Sequence, residues 1–288
     1  MQLTLTYYPD ITQKQTDKAV RDSIVVFADA VAEQLSSSLA QEVTIEVRPV
    51  MSVPEQYLDI LAGRSHIALM KPVAYVLAHQ HRPAILPACV AHRPIDGKVG
   101  TTYFAQVYAR RELGLRTLSD LATALPETLR VAYGNRFSTS NFLINAAMMH
   151  RTGIHPFLFF RSATFFGGHD LAAEAVYTGD ADIGCGHDGV IKILGESHPD
   201  AEERLISIGR EDIHSDPVVV DTEALPAGIS LGDIQAACTA AAKLAPVQAA
   251  LDLFWGWVKD LSPTEHRNYA SIEEALKRLS LGEEDMLR

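Results

Sequence analysis

The chain has 288 residues, 47% hydrophobic and 21% charged, with a formal net charge of −11. That length supplies one large or two medium domains with a sizeable core. The negative charge, with no Lys/Arg-rich block to reverse it locally, excludes nucleic acid and anionic membranes as long-range partners. An anion held by this chain needs local, directional donors.

No apolar run approaches the roughly 20 residues that span a bilayer, so no membrane span is expected. The first residues, MQLTLTYYPD, alternate as a strand does and lack the basic and apolar regions of a signal peptide. A targeting segment removed before this numbering, or a cytoplasmic location, are the two expectations. Cys89, Cys185 and Cys238 are too few and too scattered for a disulfide framework.

In chain order, strands and helices alternate, which predicts an α/β protein with largely parallel sheets. Leu3–Tyr8 reads as a strand, 18–37 as a long amphipathic helix and Val43–Pro49 as a strand. Glu55–Ala62 is a short helix, Ile67–Met70 a strand and Pro72–His79 a helix with proline in its first turn. Ile85–Ala91 and Tyr103–Ala109 are two further strands. A second run follows: helix Leu118–Ala124, strand Leu129–Tyr133, strand Phe157–Arg161, helix Leu171–Thr178 and strand Ala181–Cys185. Residues 188–195 read as helix, Leu205–Gly209 and Pro217–Val220 as β segments, and 230–243, 246–259 and 272–280 as helices. No flexible linker, repeat or low-complexity segment interrupts the pattern. Two lobes without a linker predict that the chain crosses between them on strands, near 100–106 and 214–220.

The stretch GNRFSTSNFLINAAMM, 134–149, carries Ser138, Thr139 and Ser140 where a helix begins. One hydroxyl suffices to cap a helix, and three exceed that need. Hydroxyls with free N–H groups at a helix start form an oxyanion cradle that needs no Lys or Arg; capping alone remains the competing reading. In FFGGHDLAAEAVYTGDADIGCGHDG, 165–189, His169 follows two glycines at another loop-to-helix junction, after a strand. That edge is where ligands bind in open α/β sheets. Its alternative is a surface histidine beside Asp170 as a helix cap. Cys185, His187 and Asp188 lack the spacing of a metal site, as does the HQH at 79–81, and no metal or cofactor is expected. Phe254, Trp255 and Trp257 are read as core. In IHSDPVVV, 213–220, Asp216 sits near the second crossing. A carboxylate there either forms a turn or accepts a proton that the ligand keeps, and so discriminates by protonation state.

Taken in order, these motifs resemble the periplasmic substrate-binding proteins of phosphonate, phosphite and phosphate ABC transporters. The carriers are HIALMKPVAYVLAH (66–79), DGKVGTTYFAQVYARRELGLRTLSDL (96–121), RVAYGNRFSTSNFLI (130–144), GGHDLAAEAVYTGDADIG (167–184) and IHSDPVVV, covering roughly residues 40–225. The resemblance implies an α/β, two-lobed type II periplasmic-binding-protein fold. Each lobe would be a mostly parallel sheet flanked by helices, with two crossing strands as a hinge. Lobe one would comprise 1–102 and 218–288, and lobe two 103–217.

The implied function is the substrate-binding component of an ABC importer, closing around a small tetrahedral oxyanion, with permease subunits as partners, in the periplasm. It is not an enzyme's, although Ser140 with His169 would be the residues of a hydrolase rival. The resemblance assigns Ser138, Thr139 and Ser140, His169, Asp216 and Tyr103 to the ligand, with Asp188 in the region where relatives carry an acidic residue. Lys71 stands before Pro72 where many members have Gly-Pro or Gly-Asn, and is either a positive charge at the cleft edge or a solvated lysine. Asn141 stands where the family often has Gly, and Val53 where binders of aminoalkylphosphonates have Tyr. A related branch, periplasmic arsenite sensors that signal to a histidine kinase through a cysteine, gives the alternative function, with Cys89 on a strand expected to lead to the cleft.

Overall fold

The computed structural model describes residues 1–9, 15–95, 98–256 and 258–287. In chain order the strands and helices begin β1 Gln2–Tyr7, α1 Asp17–Leu39, β2 Thr44–Val47, α2 Val53–Leu61, β3 Ile67–Leu69, α3 Pro72–His81, β4 Ile85–Ile95 and β5 Lys98–Gly100. There follow β6 Thr102–Arg110, α4 Leu118–Ala122, β7 Arg130–Tyr133, α5 Ile144–Arg151, β8 Ser162–Phe165, α6 His169–Thr178 and β9 Ile183–His187. Then come α7 Val190–Leu194, α8 Ala201–Arg204, β10 Leu205–His214 and β11 Pro217–Asp221. The chain ends with α9 Leu231–Ala241, α10 Ala245–Trp255, β12 Asp260–Pro263, α11 Ala270–Leu279 and α12 Glu283–Leu287.

Two compact units result, Met1–Thr102 with His214–Ala270, and Tyr103–Ile213 with Ser271–Arg288. The first is built on a sheet of order β12-β4-β11-β3-β1-β2, with β5 paired to β4. β1 runs parallel to β2 and β3, whereas β11 is antiparallel to both β3 and β4, and β12 to β4. Apolar residues at period two on β1, Leu3, Leu5 and Tyr7, are fully buried. The long helix α1 starts where Thr16 accepts the N–H of Ala19, buries Val20, Ile24, Phe27, Val31 and Leu35 along one stripe, and stops at left-handed Ala40. It packs against α9 and α10.

The second unit's sheet has the order β10-β6-β9-β7-β8. β7 is parallel to β8 and β9, and β6 antiparallel to β9. Helix α6 lays Ala172, Ala173 and Val176 on this sheet, against Tyr108, Ala132 and Val190.

Both sheets are therefore more mixed than the sequence pattern predicts. Helical crossovers make the β2-β1-β3 and β8-β7-β9 trios parallel, and the remaining strands return in the opposite sense. The strand expected at Phe157–Arg161 lies instead at Ser162–Phe165, in register with Arg130–Tyr133. Phe157 packs its ring on Tyr133 and Phe142 from a turn, and Tyr133 donates its hydroxyl to the Pro156 carbonyl. Buried aromatics on a turn thus imitate an apolar strand. The helix expected over 246–259 ends at Trp255, because Gly256 takes a positive φ of 61°, and β12 follows. Phe254 and Trp255 are buried as expected; Trp257 lies outside the described residues, as do Asp96 and Gly97 of the 96–121 motif.

Residues 271–288 cluster with the second unit, whereas the sequence division carried them with the first lobe. Helix α11 buries Ile272, Ala275 and Leu276. Burial pushes the pKa of Arg151, on α5, below its ordinary value, with Arg278 of α11 adding to the effect and Glu274 opposing it. No helix among the described residues is long and apolar enough to cross a membrane.

Candidate functional site

In the second unit, the parallel β7, β8 and β9 end at one sheet edge, and antiparallel β6 begins there. Ala105 pairs with His187, which sets the start of β6, with Tyr103, beside the end of β9. Four expected residue sets lie at these ends: Ser138–Ser140 after β7, His169 after β8, Asp188 after β9, and Tyr103 on β6.

The hydroxyl run is buried, with Ser138, Thr139 and Ser140 each no more than 6% exposed. Ser138 is the cap of a π-helical turn, Thr139–Leu143, and its Oγ accepts the N–H of Asn141 at 2.9 Å. The N–H groups of Leu143 and Ile144 reach back five residues, to the Ser138 and Thr139 carbonyls, before α5 begins. A single π turn of this kind is frequent at functional sites. Capping accounts for one hydroxyl, as the sequence predicts, and two remain beyond that need.

Asn141, the departure from the usual Gly, is fully buried and points back at the strand end. Its Oδ1 accepts the N–H of Gly134, and its Nδ2 is buried without a hydrogen-bond partner among the described residues. Asn145 donates to the Ser140 carbonyl and, at 3.4 Å, to that of Gly186, so the helix start is tied to β9. The pairing of β7 with β8 continues beyond the strands, Gly167 N–H to the Gly134 carbonyl at 2.7 Å, which fixes the loop leading to His169.

His169 is the first residue of α6, and Gly168, rather than Asp170, takes the cap position. Its ring lies 4.7 Å, centroid to centroid, from that of His187. His187 Nδ1 accepts the Gly189 N–H at 3.0 Å, which leaves Nε2 as the donor of a neutral ring. The carbonyls of His187 and Asp188 both accept from Gln106 of β6, and Asp188 Oδ1 is 3.7 Å from His187 Nδ1. Tyr103 is buried. Sequence reading missed the structural roles of His187 and of Arg136, whose guanidinium stacks on Phe165 at 4.6 Å. Arg136 stands two residues before the hydroxyl run, and that proximity was the available signal.

In the first unit, Asp216 and Lys71 meet in one cluster. Asp216 lies between β10 and β11, is 6% exposed, and pairs through Oδ2 with Arg93 of β4, itself 4% exposed. The Tyr8 hydroxyl stands 3.5 Å from Asp216 Oδ1 and accepts the indole N–H of Trp255 at 2.8 Å. Lys71, before α3, holds its ammonium 5.4 Å from the centre of the Tyr8 ring. Burial pushes its pKa below the ordinary lysine value, and the charge of Asp216 opposes that shift. Lys71 is half-buried. Arg93 went unread in the sequence. Val53, the first residue of α2, is buried.

Cys89 does not lead to an accessible edge. It is fully buried beneath α9, with Sγ 3.7 Å from the Gln235 carbonyl and 3.8 Å from Thr239 Oγ1. A hydrogen bond with Cys238 lowers its pKa and raises that of Cys238 well above the usual thiol value.

Two mixed sheets flanked by helices define a type II periplasmic-binding-protein fold. The solved structure of PhnD1 from Prochlorococcus marinus, in complex with methylphosphonate, matches with a TM-score of 0.70 at 19% identity over 97% of this chain and 98% of that one. XAC2383 from Xanthomonas citri, bound to chloride, matches with a TM-score of 0.73 at 15% identity over 97% of each chain. A binding-protein component of an ABC phosphonate transporter from Pseudomonas aeruginosa matches at 0.60 and 16% identity, over 99% of this chain and 92% of that one. At such identities these are likenesses of fold. No curated protein matches by sequence. Residues 17–269 match the family described as "ABC transporter, phosphonate, periplasmic substrate-binding protein", and the chain belongs to that family. The family is a transport component that binds substrate, and it is not a family of enzymes.

Proposed function

We propose that this chain captures a small tetrahedral oxyanion, a phosphonate, phosphite or phosphate, in the periplasm and delivers it to the permease subunits of an ABC importer. The observation that supports this best is the gathering of Ser138, Thr139 and Ser140 with His169 at one sheet edge of the second unit, in a chain of this family. Hydroxyls and backbone N–H groups at a helix start hold a desolvated anion by charge-assisted hydrogen bonds, with no need for a counter-charge. Tyr103, Asp188, Lys71 and Asp216 are the further residues we propose for the ligand. The two units would be the lobes of the binding protein, hinged on the crossing strands near 100–106 and 214–220.

A thermal-shift panel of phosphate, phosphite, methylphosphonate, aminoethylphosphonate, arsenite and sulfate tests this reading, because a ligand of the native state raises Tm. A rise with at least one phosphorus oxyanion is expected. A response to arsenite alone, or to none of the six, would remove it.

A further inference from the structure

Three scattered cysteines do not make a disulfide framework, yet the fold of the first unit brings two of them together. Cys89 lies on β4 between two strands, opposite Val218 of β11 and Pro263 of β12, so its backbone is fixed within the sheet. Cys238 lies on α9, where the buried Ile234, Ala237, Cys238 and Ala241 form one stripe, and α9 packs against β4 and β12. Cys89 Sγ meets a single turn of that helix. It stands 3.7 Å from the Gln235 carbonyl and 3.8 Å from Thr239 Oγ1, and the Cys238 thiol donates a hydrogen bond to it. Both cysteines are fully buried, and the oxyanion reading uses neither.

We infer that Cys89 and Cys238 are a disulfide pair, closed by an external disulfide in an oxidising compartment, that fastens β4 to α9. The first unit consists of two stretches of chain, Met1–Thr102 and His214–Ala270, with Tyr103–Ile213 inserted between them. β4 belongs to the first stretch and α9 to the second. The bond joins the two stretches covalently and closes a loop that contains the whole inserted segment. A cross-link stabilises mainly by restricting the unfolded chain, and more so the longer the loop it closes. The periplasm, where this family works, is an oxidising compartment in which such a bond persists.

Cys89 is the attacking sulfur, because the hydrogen bond from Cys238 lowers its pKa and raises that of Cys238. Its thiolate attacks one sulfur of the external disulfide, which forms a mixed disulfide and expels one thiolate. The Cys238 thiolate then attacks Cys89 Sγ and expels the second. The chain gives up two electrons and two protons, and the external disulfide leaves as two thiols. Burial of both sulfurs confines the exchange to states in which α9 is off the sheet. The bond therefore forms as the chain folds, and is shielded from reductant afterwards.

The test unfolds the reduced native chain in urea and refolds it either in a buffer of reduced and oxidised glutathione or in dithiothreitol. Samples of each are then unfolded, alkylated and mapped by mass spectrometry. Of the three cysteines, the glutathione sample should leave only Cys185 to alkylate, with Cys89 and Cys238 recovered in one linked peptide. Its Tm should exceed that of the dithiothreitol sample by about 5 °C or more. Cys238→Ser should show the same Tm in both buffers. Alkylation or glutathionylation of Cys89 and Cys238 in the glutathione sample, or a link that involves Cys185, would overturn the inference. So would a linked chain no more heat-stable than the reduced one, or a gain in Tm that persists in Cys238→Ser. None of these readouts uses a ligand, so their failure leaves the oxyanion reading untouched.

Discussion

Asn141 lies across Gly134: its Oδ1 takes the Gly134 N–H, and a Cβ at position 134 would stand 2.5 Å from its Nδ2. The contact joins the end of β7 to the π turn that carries the three hydroxyls. Gly134→Ala must therefore displace a fully buried carboxamide, at a cost of about 1–3 kcal/mol. Thermal unfolding should show a Tm lowered by several degrees, and oxyanion affinity should fall with it, because the helix start moves. An unchanged Tm would mean that Asn141 is not held in this way.

Ser138 and Ser140 should separate capping from binding. Ser138 accepts the Asn141 N–H, so Ser138→Ala should cost about 1 kcal/mol of stability as well as affinity. Ser140→Ala removes a hydroxyl that the cap does not use and should weaken binding with little effect on Tm. Equal losses of Tm for the two variants would contradict this division.

His214 makes the first unit acid-sensitive. Burial, with His92 adding to it, lowers its pKa from 6.5 to about 4, while Nε2 lies 2.8 Å from Thr264 Oγ1. The folded state keeps the ring neutral and the unfolded state protonates it, so this contribution is complete above about pH 6.5 and is lost as pH falls toward about 4. His214→Gln should show a smaller drop in Tm between pH 7 and pH 4.5 than the native chain, measured by calorimetry without ligand.

Asp182 holds the opposite edge of the second unit's sheet. Its carboxylate accepts from Arg130 Nε at 2.9 Å, from the Arg130 backbone N–H at 2.8 Å, and from Arg110. Burial raises its pKa, but the hydrogen bonds from Arg130 and Arg110 outweigh that and leave it below the usual aspartate value. The stability it confers is present above the ordinary aspartate pKa and lost as pH falls through the lowered one. Asp182→Ala should cost about 2 kcal/mol at pH 7, since Arg130 is partly exposed and screened. That deficit against the native chain should shrink as pH falls below the ordinary aspartate range.

The sequence made most strands and helices legible because their apolar periods and caps are local. Thr16, Ser52 and Ser230 cap three of the helices expected from the sequence. The hydroxyl run and His169 were readable for the same reason, each standing at a junction that glycines and small polar residues mark. What stayed hidden is the pairing of residues distant in the chain. Nothing near Asp216 in sequence indicates Arg93, 123 residues away. The burial of Cys89 under α9 likewise depends on where residues 235–239 pack. The Phe157 turn misled because its apolar content is tertiary in origin.

The most direct measurement is calorimetric titration of methylphosphonate into the native chain, Ser140→Ala and His169→Ala at pH 7. The account predicts saturable one-to-one binding by the native chain. It predicts a loss of about tenfold or more in each variant, as for a hydrogen bond to a charged group, with Tm unchanged. Binding of equal affinity in all three, or no heat in the native chain with every oxyanion of the panel, would contradict it.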